Sequence, residues 1–94
     1  MNFEIHVTVP SASIPVLRTV QDEWMSGDCK SWHLSCIADD PDLGKGAHGY
    51  ITTHRETLQG AFDVMQNMIE WVKGRAWTPI RAKIEEVVYD RRYP

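Results

Sequence analysis

Three of the four histidines in this 94-residue chain stand two positions from a serine or threonine. His6 and Thr8 form H-V-T, His33 and Ser35 form H-L-S, and His54 follows Thr52 and Tyr50 at the same interval. Residues two apart on an extended chain point the same way, so each imidazole shares a side with a hydroxyl. Imidazole gives and takes protons near neutral pH. Arg81 and Lys83, also two apart, add fixed cations. Arginine, imidazolium and hydroxyl groups hold phosphates and carboxylates through charge-assisted hydrogen bonds. His6, Thr8, Tyr50, Thr52, His54, Arg81 and Lys83 are therefore the candidate binding set for a small anion such as a phosphate ester or nucleotide, with His33 and Ser35 beside them.

The elements that must position these residues follow from periodicity. Phe3 to Val9 alternates strictly, with Phe3, Ile5, Val7 and Val9 on one side and Glu4, His6 and Thr8 on the other, the pattern of a half-buried strand. Pro10 ends it. Ser11 or Ser13 can cap a helix in which Pro15 comes early, and Val16, Leu17, Val20 and Trp24 recur at helical spacing to about Met25. Ser31 to Ile37 alternates as a second strand, with Cys36 expected in the core. Residues 39–46 have loop composition, and Ala47 to His54 resumes an extended pattern. Thr57 is the expected N-cap of the longest helix. Its stripe is Leu58, Ala61, Phe62, Met65, Met68, Ile69 and Val72, and Gly74 closes it. Ile80 to Tyr89 forms a fourth strand whose phase slips at Glu86-Val87-Val88, the signature of a bulge.

The order βαββαβ predicts an α+β fold, the ferredoxin-like plait: a four-stranded antiparallel sheet with two helices on one face, one domain over residues 1–94. Right-handed crossovers put strands one and three in the centre, strand four beside one and strand two beside three. Period two then sends Glu4, His6, Thr8, His33, Ser35, Tyr50, Thr52, His54, Arg81, Lys83 and Glu85 to the face without helices. His6, His54 and Arg81 could cluster there. Alternatively Glu4 and Glu85 pair with Lys83 and Arg81 across a solvated face. In a third reading two sheets pack into a homodimer, with Tyr50, Val87 and Tyr89 supplying apolar area.

The two H-x-[ST] tripeptides resemble the paired motif of the 2H phosphoesterase superfamily. The resemblance implies that His6 and His33 are general acid and base, and that Thr8 and Ser35 hold phosphate oxygens. The family has two lobes and a longer chain, with its motifs far apart. Here they are close, and strand three would stand between them. The E-x-H-x-T of the first strand and the R-x-K-I-E of the last also resemble a group of small uncharacterised bacterial and phage proteins. That likeness implies only that strands one and four belong together.

Composition sets the outer limits. Ten basic residues against thirteen acidic ones, a formal net charge of -3, give no basic stripe for duplex nucleic acid. The apolar runs are far short of the roughly 20 residues of a membrane span, and the opening residues lack signal-peptide regions, so a cytoplasmic location is expected. Cys29 and Cys36 are read as reduced thiols. Asp39, Asp40 and Asp42 lack the calcium-loop spacing, and residues 44–49 do not continue as a P-loop. No cofactor and no metal are expected, although His6, His33 and His54 could in principle converge on zinc or copper. No nucleophile stands out beside a base. Three functions remain: a binding module for an anionic ligand, expected as a dimer; a 2H-like phosphoesterase; and a protein-interaction or inhibitor module, in which the open face or an exposed Trp71 meets the partner.

Overall fold

Alternation in the first segment gives strand β1, Phe3–Val9, whose odd residues are buried. In the computed structural model, which describes residues 2–20, 32–40 and 44–87, the chain continues through a single 3-10 turn, Ser11–Ser13, into helix α1, Ile14–Val20. Strands β2, His33–Asp40, and β3, Gly44–Arg55, follow, then helix α2, Leu58–Gly74, and strand β4, Arg81–Glu86. All pairings are antiparallel, in the order β2-β3-β1-β4. The fold is α+β, a four-stranded antiparallel sheet with two helices.

Both helices lie on the face of the odd β1 residues. Leu17 of α1 is fully buried, and α1 comes so close to the sheet that a Cβ on Gly49 would sit 2.9 Å from Val9 Cγ2 and 3.2 Å from Ile14 Cγ1. Only glycine fits beneath the helix there. Helix α2 packs on β1, β3 and β4, and its Ala61, Val64, Met68 and Val72 close over Phe3, Ile5, Val7 and Ile51. Thr57 caps it as expected, its hydroxyl accepting the Gly60 N–H at 3.0 Å. The helix ends in a Schellman arrangement: Ala76 N–H donates to the Lys73 carbonyl and Trp77 N–H to the Val72 carbonyl. Ala76 takes the left-handed backbone, φ 62°, beyond the Gly74 that the sequence points to.

Several expectations need correction. No serine side chain caps α1: Pro10 leads the turn, and Ser13 N–H donates to its carbonyl. Val16 is exposed while its neighbour Leu17 goes inward. The expected continuation to Met25, with Trp24, lies outside the described residues. Much of the expected loop over 39–46 is ladder, with Asp39 opposite both Lys45 and Gly46 in an irregular register. Backbone pairing needs no side-chain alternation, so Asp and Gly composition conceals it. Cys36 is exposed, not core, because β2 is a border strand; its sulfur accepts from the Arg18 guanidinium at 3.5 Å. Cys29 lies outside the described residues.

The stripe of α2 is rotated from the expected one. Val64 is buried, whereas Leu58 and Phe62 are 49% and 51% exposed. The rotation carries Trp71 inward, half-buried against the core and edge-on to Trp32 and Trp77 at 6.2 and 6.0 Å, with Arg75 over its ring. Trp71 is therefore a packing residue and not a free docking point. β4 ends at Glu86, though Val87 N–H still donates to the Asn2 carbonyl at 2.8 Å; the rest of the expected bulge and Tyr89 lie outside the described residues.

Candidate functional site

The side of the sheet away from α1 and α2 carries three cross-strand rows. In the first, Glu4 stands between Glu85 of β4 and His54 of β3. In the second, His6 stands between Lys83 and Thr52, with His33 of β2 on the far side of Thr52. In the third, Thr8 stands between Arg81 and Tyr50, with Ser35 beyond. Both H-x-[ST] pairs are thus in step: His6 and His33 flank Thr52, and Thr8 and Ser35 flank Tyr50. Two strand spacings separate the flanking backbones, about 10 Å.

Hydrogen bonds tie the first two rows together. His6 Nδ1 is 2.9 Å from Thr52 Oγ1, and His6 Nε2 is 2.5 Å from Glu4 Oε1. The other Glu4 oxygen meets His54 Nε2 at 3.0 Å. A carboxylate only accepts, so the Nε2 of each ring donates to Glu4; the neutral His6 ring then accepts the Thr52 hydroxyl proton at Nδ1. The result is a continuous chain of hydroxyl, imidazole, carboxylate and imidazole. Beside it Lys83 Nζ holds Glu85 Oε1 at 2.6 Å, and that oxygen lies 4.0 Å from His6 Nε2. The hydrogen bond from Lys83 outweighs burial and holds the Glu85 carboxyl below the usual range, with the nearby charges of Lys83 and Arg81, and of His6 when it is protonated, acting in the same direction.

The centre of the third row is buried although no helix among the described residues covers it. Thr8 is 1% exposed and Tyr50 4%. Thr8 Oγ1 has no hydrogen-bond partner among the described residues. Tyr50 therefore offers no open apolar area to a sheet-on-sheet dimer, and that expectation loses one of its contacts. No family model, curated protein or solved structure matches the chain.

The expected ligand set is only partly brought together. His6, Thr52 and His54 are joined through Glu4, with Lys83 adjacent. Arg81 lies in the Thr8 row, two steps along the strand from His54, so the expected His6, His54 and Arg81 cluster does not form. Glu4 pairs with two histidines and not with a cation, which the sequence reading missed; the signal was the E-x-H spacing, readable only once the β1–β3 register sets Glu4 opposite His54. His33 and Ser35 are exposed on β2 and separated from His6 by Thr52. Among the described residues no group of three His, Cys, Asp or Glu is arranged to hold a metal ion, and no helix is long and apolar enough to cross a membrane. A depression of about 300 Å³ on the helix side is lined by Trp32, Arg55, Gly60, Asp63, Val64 and Asn67, away from these rows.

Proposed function

We propose that this chain is a cytoplasmic binding module of the ferredoxin-like plait type that holds a small anionic ligand, a phosphate ester or nucleotide, on its open sheet face. The observation that carries the reading is the alignment of the second and third rows. Lys83, His6, Thr52 and His33 lie level with one another next to Arg81, Thr8, Tyr50 and Ser35. Cations on β4, an imidazole and a hydroxyl on β1, hydroxyls on β3, and an imidazole and a hydroxyl on β2 suit an anion whose oxygens take several charge-assisted bonds. Calorimetric titration with AMP and with inorganic phosphate tests the reading. Saturable binding that weakens at least tenfold in His6→Ala and in Lys83→Ala supports it, and heat of dilution alone from both ligands overturns it.

One observation favours a second reading, a 2H-like phosphoesterase using His6, Thr8, His33 and Ser35. Glu4 sits behind His6 at Nε2, so Nδ1 is the nitrogen turned toward β3 and the space between the two motifs. An imidazole oriented by a carboxylate on one nitrogen and open to a substrate on the other is the arrangement of a general base. Thr52 now occupies that nitrogen, so turnover requires its hydroxyl to yield to the substrate. Hydrolysis of a phosphodiester, abolished in both His6→Ala and His33→Ala, is the result this reading needs.

A further inference from the structure

β4 borders the sheet, with β1 on one side and no strand on the other among the described residues. The Val87 to Asn2 hydrogen bond sets the phase of the ladder. In an antiparallel pair alternate residues exchange both bonds, so the backbone groups of Arg81, Lys83 and Glu85 turn toward β1, and those of Ala82, Ile84 and Glu86 turn outward. An exposed row of this kind is a template for another strand.

The charges on β4 identify which strand. Its first half is basic, Arg81 and Lys83, and its second half acidic, Glu85 and Glu86. An antiparallel copy of the same strand presents the opposite order. Pairing that keeps each face of the sheet continuous can centre on Lys83 or on Ile84. Centring on Lys83 opposes two lysines. Centring on Ile84 sets Lys83 opposite Glu85 of the partner copy, twice by symmetry, and Ile84 opposite its own counterpart. The outward Ala82 and Glu86 backbones then complete the ladder.

The helix layer fits the same seam. Gly60, Val64 and Asn67 of α2 face Trp32 and Arg55, toward β2 and β3. Leu58, Phe62, Met65 and Ile69 form the opposite flank, on the β4 side. Leu58 and Phe62 are half exposed there, and Ala82 beneath is exposed. We propose that the chain associates with a second copy of itself through β4, antiparallel and centred on Ile84, joining two four-stranded sheets into one of eight and flanking the seam with Leu58 and Phe62 from each copy. This association does not use the side of the sheet away from the helices and does not depend on the ligand reading.

The test is sedimentation of the full chain up to about 100 µM, where even a weak dimer of micromolar affinity is populated, with circular dichroism to confirm folding of each variant. Wild type is expected as a dimer. Lys83→Glu and Glu85→Lys each set like charges opposite one another at two symmetric positions and are expected to raise the dissociation constant about tenfold or more. The double reversal restores complementarity and is expected to restore the dimer. A wild type that stays monomeric across the range overturns the proposal. So does a dimer that survives both single reversals, since its interface then lies elsewhere.

Discussion

His6 and Glu4 lie two positions apart on one strand and bond to each other at 2.5 Å, so a single carboxylate holds the imidazole whose other nitrogen meets Thr52. Side chains i and i+2 share a face, but this pair is completed from β3, where His54 takes the second Glu4 oxygen. The carboxylate thus fixes two rings at once.

Replacing Glu4 by Gln keeps the shape and removes the charge. The amide can meet only one ring as an acceptor, so His6 and His54 lose their common orientation. Long-range nitrogen-proton spectra are expected to show His6 as the Nε2–H tautomer in wild type and as a mixture in Glu4→Gln. Because the cluster is partly exposed, stability falls by no more than about 1 kcal/mol.

Acid should weaken the fold in part through Glu85, whose carboxyl Lys83 holds below the usual range. A group whose value is depressed in the fold adds stability that is fully present above its unfolded value, about 4.3, and is lost as pH falls through the folded value. Glu85 is half exposed, at 51%, so solvent screening keeps the contribution small. Urea midpoints of wild type and Glu85→Gln are expected to differ at neutral pH and to converge on acidification below that range. A gap that stays constant to pH 2 contradicts the assignment.

Ala76 carries a positive φ at the helix end, where glycine has no steric penalty. Left-handed backbone costs an alanine about 1 kcal/mol. Ala76→Gly is therefore expected to raise stability by about 0.5–1 kcal/mol in thermal or urea unfolding, an unusual sign for a change to glycine.

The rotation of α2 separates two apolar residues that look alike in the sequence. Met68 is fully buried, so Met68→Ala is expected to cost about 2–4 kcal/mol. Phe62 is half exposed, and Phe62→Ala should cost about 1 kcal/mol or less, measured below the concentration at which the chain associates.

Period two in Phe3–Val9 and around Ile51 was enough to divide the sheet into a core face and a polar face, and the Thr57 cap with the long apolar stripe was enough to locate α2. Depth was not legible. Alternation assigns Cys36 to the helix side but does not tell that β2 is a border strand, and it assigns Thr8 and Tyr50 to the open side although both are buried there. Register was not legible either, because β1 and β3 are far apart in the chain and no tight turn joins them to fix their alignment. Without register, Glu4 could as readily pair with Lys83 as with His54. The rotation of α2 escaped for a related reason: Leu58 and Phe62 fit a stripe as well as Val64 and Trp71 do, and the choice is made by where Trp32 and Trp77 stand.

The central claim, an anion site on the two aligned rows, is tested most directly by titrating AMP into isotope-labelled protein and following backbone and imidazole resonances. Saturable shifts confined to His6, Thr8, Thr52, His33, Arg81 and Lys83, absent for adenosine, are the expected result. Shifts centred on Trp32, Arg55 and Asn67 of the helix side, or none at millimolar AMP, contradict it.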